Sequence, residues 1–319
     1  MAVDAVVRVR GLCRTFRVRG RSVEALRNVS FSLAPGEFVA YLGPNGAGKS
    51  TTVKILTGIL HPSAGEVAVA GFSPQRQRIE VARRIGVVFG QKTQLWWDLP
   101  VRDSYDLLAA MYGVPGAVAR ERLRILDDVL GLAGFLDQPV RQLSLGQRMR
   151  AELAGALLHA PQVLFLDEPT VRLDIVAREA VRRFLREVNR TGTTILLTTH
   201  DMGDVEELCP RVLVMGRGAL VYDGPVARLR EAAGLPTAAT VEFAAEPVGL
   251  AAGPTGWDAG GAFSVVRVQG AMAEVAFDRA RVGVGAVLGW LGRFGEVRDV
   301  RLSEPDLETV LRGVYGGRE

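Results

Sequence analysis

Gly43-Pro44-Asn45-Gly46-Ala47-Gly48-Lys49-Ser50-Thr51 fits the spacing G-x-x-x-x-G-K-[ST] without mismatch. Glycines in such a run let the backbone N–H groups from Asn45 to Gly48 turn inward against phosphate oxygens. Lys49 is placed to reach the β- and γ-phosphates, and the Ser50 hydroxyl, with Thr51 beside it, to ligate Mg²⁺. A second cluster is Val163-Leu164-Phe165-Leu166-Asp167-Glu168, four apolar residues ending in two carboxylates. Asp167 is the candidate to hold Mg²⁺ through its water shell. Glu168 is the candidate to polarise a water attacking the γ-phosphorus.

These groups need elements to place them. Glu37–Leu42 is apolar and β-prone, a strand leading into the glycine-rich loop, and Thr52–Leu60 reads as the helix after it, its positive end aimed at the same charge. Val6–Val18 and Ser22–Leu33 predict an antiparallel layer, joined to the loop strand by the turn Ala34-Pro35-Gly36-Glu37. Further strands are expected at Glu66–Ala70, Ile85–Phe89, Val163–Leu166, Thr194–Thr198 and Val212–Met215. From Val101 to Ala160 apolar residues recur at helical spacing (Tyr105, Leu108, Met111, Tyr112, then Leu123, Leu126, Val129, Leu130), which predicts a mostly helical insert. Strands alternating with helices predict an α/β fold with a parallel core. The pattern breaks near Ala232–Pro236. Beyond it, strands near 240–244, 263–268, 272–277 and 297–302 and helices near 284–291 and after Ser303 predict a small second α/β domain. Ser303 or Asp306 is placed to cap the last helix. The expected domains are 1–232, with the helical part at about 92–160, and 237–319.

The chain has 319 residues and a net charge of +4, nearly all of its base being arginine. The charges are scattered rather than striped, so a nucleic-acid surface is not expected. No run of eighteen apolar residues occurs, so no span is expected. The charged N-terminus lacks a signal-peptide core. Cys13 and Cys209 have no metal spacing and read as reduced structural thiols. A cytoplasmic chain is expected.

Further segments complete a resemblance to the ATP-binding cassette (ABC) transporter ATPases. Leu143-Ser144-Leu145-Gly146-Gln147 resembles the cassette signature, with Leu145 in place of its first glycine. It precedes a helix expected over Met149–Leu158, and in the family it meets the γ-phosphate of the opposite subunit, which implicates Ser144, Gly146 and Gln147. Gln91 matches the family's glutamine loop, which implies contact with Mg²⁺ or the attacking water. His200 matches the switch histidine, which orients the catalytic carboxylate. Asp174 matches the loop that crosses the dimer interface, where Arg172 replaces the usual glycine; that arginine would either clash at the seam or pair with a phosphate or acid of the partner. Phe16 matches the aromatic that stacks on adenine. All seven motifs stand in the family's order. The resemblance implies a phosphate-loop NTPase fold of mixed core sheet, antiparallel β layer and helical subdomain. It implies ATP and Mg²⁺ as ligands, hydrolysis, a head-to-tail dimer, and a separate membrane permease at the inner face of the membrane.

Finer likenesses point the same way. Glu304-Pro305-Asp306-Leu307-Glu308 resembles the tail of exporter ATPases with a small C-terminal domain, and Phe89 to Pro100 resembles a subgroup that serves multidrug-type exporter permeases. Trp96 and Trp97 lie where the cassette meets its permease; they either line that interface or pack within the helical insert. The alternatives in other classes are a soluble cassette ATPase acting on a non-membrane target and a non-hydrolysing nucleotide sensor.

Overall fold

A computed structural model of the chain describes residues 5–18, 20–90, 92–171, 173–232, 236–251, 253–254, 262–279, 281–303, 307 and 309–311. The chain divides into two compact units, Met1–Val226 and Ala227–Glu319.

In the first unit, β1 (Val7–Val18) pairs antiparallel with both β2 (Arg21–Leu33) and β4 (Ala64–Val69), giving the order β2-β1-β4. A six-stranded sheet adds β3 (Phe38–Leu42), β5 (Ile85–Phe89), β6 (Val163–Asp167), β7 (Thr194–Thr198), β8 (Arg211–Gly216) and β9 (Ala219–Pro225), in the order β5-β6-β7-β3-β8-β9. All its neighbours are parallel except β8 with β9. Every residue of β3 and of β7 is buried, as central strands covered on both faces require. The core joins this sheet to the antiparallel layer through Val9, Leu26, Tyr41, Ile55, Phe165 and Leu213.

Two helices flank the start of the sheet, α1 (Lys49–Leu56) and α2 (Arg78–Ala82). The insert consists of α3 (Val101–Tyr112), α4 (Gly116–Leu130) and α5 (Leu145–Leu157). Then come α6 (Ile175–Arg190), α7 (Met202–Leu208) and α8 (Val226–Ala232). Several expectations need correcting. The helix after the glycine-rich loop stops at Leu56, short of the expected Leu60, and Gly58 then turns at φ +73°. β4 begins two residues earlier than expected and ends before Ala70, which sits at φ +49°. Met111 and Val129 are not core residues; they are 71 % and 48 % exposed. β9, α2, α6, α7 and α8 have no named counterpart among the expected elements.

The second unit is a five-stranded antiparallel sheet in the order β11-β12-β13-β10-β14. Its strands are β10 (Thr237–Phe243), β11 (Gly253–Pro254), β12 (Phe263–Gln269), β13 (Met272–Phe277) and β14 (Val297–Ser303). The helix α9 (Val284–Leu291) buries Val287 and Leu291 with Phe243, Phe263 and Phe277 in a core of its own. The cap expected at Asp306 and the tail at 304–306 lie outside the described residues.

Candidate active site

Strand register puts the catalytic candidates in one row. Phe89, Asp167 and Thr198 are direct partners at the C-terminal ends of β5, β6 and β7. β3, beside β7, ends in the same region and runs into the glycine-rich loop. Open parallel sheets bind ligands at this edge.

Gly48 stands at the N-cap of α1 with φ +102°, and a Cβ there would come within 2.5 Å of Leu26 Cδ2 and 2.7 Å of the Ala25 carbonyl oxygen. Only glycine lets the loop pass so close to β2. No side chain caps α1, so its first N–H groups are free to meet an anion. Lys49 is 7 % exposed, and its ammonium donates to the Gly43 carbonyl and, at 3.2 Å, to that of Pro44. Burial pulls its pKa below the ordinary value, while Glu168 and then Asp167 oppose that pull. Pro44 through Thr51, with Glu168, bound a depression of about 170 Å³. An uncapped helix end and a buried ammonium form a donor set that fits a phosphate chain.

Ser50 and Asp167 both line a larger cleft of about 770 Å³ that also includes Asn45, Glu168 and His200. Thr198 Oγ1 donates to Asp167 Oδ1 at 2.5 Å. A hydroxyl and a carboxylate are hard oxygen donors. Among the described residues no group of three or more His, Cys, Asp or Glu could enclose a metal unaided. This set fits Mg²⁺, which keeps several waters and shares its shell with substrate phosphates.

Glu168 has φ +57°, in the left-handed region. For a non-glycine residue this conformation costs about 1–3 kcal/mol and persists only where the surroundings enforce it. Its N–H donates to the Thr198 carbonyl at 2.9 Å, and His200 Nε2 lies 2.8 Å from its Oε1. The pair is partly exposed to the cleft, His200 by 45 % and Glu168 by 29 %. A carboxylate held by an imidazole and open to water can act as a general base.

Three supports escaped the sequence reading. Gly90 N–H donates to the Asp167 carbonyl at 2.8 Å, and a Cβ on Gly90 would press within 2.7 Å of the Glu168 carbonyl oxygen. Asp204, fully buried on α7, accepts from Thr170 Oγ1 at 2.5 Å, Thr199 Oγ1 at 3.0 Å and Arg182 Nε at 2.6 Å. It thereby ties the segment after Glu168 to the residue before His200. Thr198 serves Asp167 and Glu168 together. For Gly90 a signal existed in its place directly after β5, and none marked Asp204 or Thr198.

Other candidates sit apart. Leu145 and Arg148 reach the larger cleft, but Ser144, Gly146 and Gln147 do not line it. The signature helix starts at Leu145, not Met149: Ser144 caps it, exchanging bonds with Gln147 in a capping box, so Gly146 and Gln147 lie in its first turn. Asp174 caps α6, accepting from Ala177 N–H at 2.7 Å. Phe16 lies on β1 opposite Val23, with the Arg14 guanidinium 4.5 Å above its ring, and lines neither hollow. Gln91 and Arg172 fall outside the described residues.

Residues 26–171 match the model of the ABC transporter family. NatA, an ABC transporter ATP-binding protein of Bacillus subtilis, is 34 % identical over 218 residues, 68 % of this chain and 89 % of NatA. The chain belongs to the ABC transporter ATP-binding proteins. It is an ATPase subunit with the ABC cassette fold. Nod factor export ATP-binding protein I of Burkholderia pseudomallei is 42 % identical over 205 residues, 64 % of this chain and 67 % of that one. A dimeric ATP-binding cassette in a post-hydrolysis state with ADP and Pi superposes at TM-score 0.62 with 28 % identity, over 69 % of this chain and 98 % of the other. CbiO1 from Clostridium perfringens, part of the transporter complex cbiONQ, gives 0.61 with 30 % identity, over 70 % and 89 %. Among the described residues of this ABC ATPase no helix is long and apolar enough to cross a membrane.

Proposed function

We propose that two copies of this ABC ATPase close head-to-tail around ATP and that this closure drives export through a separate membrane permease, with the chain held at the inner face of the membrane. The observation that carries the catalytic part is the 2.8 Å contact between Glu168 and His200 in the cleft that also contains Asn45, Ser50 and Asp167. The backbone donors of residues 45–51 and the Lys49 ammonium bind the phosphates. Phe16 offers a ring face to the adenine. Ser50, Asp167 and Gln91 would hold Mg²⁺, which when bound neutralises charge on the phosphate oxygens. Glu168 takes the proton from the attacking water as the new oxygen–phosphorus bond forms and the bond to the β-phosphate oxygen breaks. His200 holds Glu168 in place. Ser144, Gly146 and Gln147 complete the site on the partner copy.

The pairing reading has support at the start of α6. Ile175 and Val176, directly after Asp174, are 83 % and 80 % exposed, which suits an apolar contact made by a second copy. The export reading rests on likeness to ATP-binding proteins named for Nod factor export and linearmycin resistance. For the permease contact, Trp96 and Trp97 are 38 % and 47 % exposed, and Trp97 lines a small hollow between α5 and the end of β5. The second unit we assign to stabilising the dimer or regulating its coupling.

The test is Glu168→Gln. It keeps the shape of the side chain and removes the base, so ATP binding should persist while kcat falls by roughly 10²–10⁴. ATP should then hold the variant as a dimer in size-exclusion chromatography. Hydrolysis at the parental rate would remove Glu168 as the base.

A further inference from the structure

Glu152 is a carboxylic acid 5 % exposed in the middle of α5, and nothing in the site described above uses it. Burying a carboxyl is costly unless hydrogen bonds compensate, and burial raises its pKa here. The compensating bonds come from one short segment. Thr93 Oγ1 donates to Glu152 Oε1, and Gln94 N–H donates to Oε2 at 3.2 Å. The Gln94 side-chain amide donates to the Glu152 backbone carbonyl at 2.9 Å. Thr93 is itself held, its hydroxyl accepting from Leu95 N–H at 3.1 Å. Leu95 is buried and would be 3.4 Å from a Cβ on Gly155, one turn further along α5.

The two ends of this junction lead to different parts of the nucleotide site. Upstream of Thr93 stand Gln91 and then Gly90, bonded to the Asp167 carbonyl at the end of β6. Upstream of Glu152 on α5 stand Gln147, Gly146 and the capping Ser144. We propose that Glu152 is a positioning residue, clamping Thr93 and Gln94 to the signature helix so that the glutamine loop of one half-site and the signature that this copy offers its partner move as one body. The inference rests on the reading of the site under Proposed function and adds a coupling element to it. A leucine or alanine at 152 would pack the same helix and leave the Thr93 hydroxyl and Gln94 N–H without their acceptor, so the carboxylate is there for those two donors.

The experiment compares steady-state ATPase kinetics of the full chain with Glu152→Ala, Glu152→Gln, Thr93→Val and the Glu152→Ala/Thr93→Val double variant, each first shown to melt cooperatively. The clamp requires kcat to fall about tenfold or more in Glu152→Ala and Thr93→Val, with KM for ATP within about twofold, because the phosphate loop is untouched. The double variant should be no slower than the slower single variant, since both remove one link. Glu152→Gln keeps an acceptor for Thr93 and should recover most of the rate. Parental kcat in either single variant, multiplied losses in the double, or a rise in KM at constant kcat would overturn the clamp while leaving the site reading intact. Should Glu152→Ala fail to fold, Thr93→Val, a change at an exposed position, decides alone. Hydrolysis by Glu168→Gln at the parental rate, run alongside, would overturn the site reading and the clamp with it.

Discussion

Replacing Asp204 with alanine tests whether the geometry of Glu168 and His200 is built from behind. Asp204 is fully buried, and its two oxygens take three donors: Thr170 and Thr199 at Oδ2, Arg182 at Oδ1. Removing one partner of a buried ion pair costs about 3–5 kcal/mol. Arg182 keeps Asp201 at 3.2 Å and Glu207 at 2.8 Å, so the charge is not abandoned and the low end, about 3 kcal/mol, applies. For a unit of this size each kcal/mol shifts the midpoint by about 2–4 °C, so Asp204→Ala should melt about 6–12 °C below the parent. Differential scanning calorimetry without nucleotide reads the shift. Asp204→Asn retains an acceptor for the threonine hydroxyls and should lie between the two. The variants should also lose kcat more than ATP affinity, because Thr170 lies two residues past Glu168 and Thr199 directly precedes His200. A midpoint within about 2 °C of the parent for Asp204→Ala would refute the argument, since no such buried link could then exist.

Three further outcomes are expected. His159 stacks on Tyr112 at 3.9 Å, and burial, reinforced by Arg122, lowers its pKa against a bond to the Ile85 carbonyl. A histidine whose folded value lies below its unfolded value of about 6.5 adds stability that is present above that pH and lost as pH falls through the folded value. Urea midpoints at pH 8 and pH 5 should therefore drop more for the parent than for His159→Phe, and equal drops would contradict the assignment. Trp96→Ala or Trp97→Ala should weaken co-purification with the permease; unchanged recovery with both would reject these residues as its contact. A chain ending before Thr237 should still bind ATP but show altered dimerisation or coupling, and loss of ATP binding in a folded truncate would refute the role given to the second unit.

What the sequence made legible was whatever sits on contiguous residues. The strands Ile85–Phe89, Thr194–Thr198 and Met272–Phe277 and the helix Val284–Leu291 match their expected spans residue for residue, because each is a short run with one dominant period or β-branched content. The start of α5 was misplaced because Ser144 and Gln147 bond each other at a spacing of three, which outweighs the glycine between them. β9 was missed because it is an edge strand of mostly half-buried residues with no clear alternation. Illegible in a different way were the bonds that join segments far apart in sequence: Thr198 to Asp167, Thr170 to Asp204, Thr93 to Glu152. Each is a hydroxyl donating to a carboxylate, and threonine has no pattern that separates such a donor from an ordinary strand or loop residue.

That difference explains how the site divides its labour. The groups that meet phosphate come in motifs because one turn of backbone must supply several donors at fixed spacing, as residues 43–51 do. The groups that hold Glu168 at φ +57° against His200 come from β7, α6 and α7, so they act only once the sheet has formed. A strained carboxylate needs this kind of support, because a lone local contact worth about 1 kcal/mol would not outweigh a backbone cost of about 1–3 kcal/mol. The Thr198 carbonyl and His200 bind Glu168 from one strand end, and Asp204 fixes that end from below. The catalytic geometry is therefore a property of the folded first unit as a whole, and substitutions behind the sheet edge should change turnover without touching ATP.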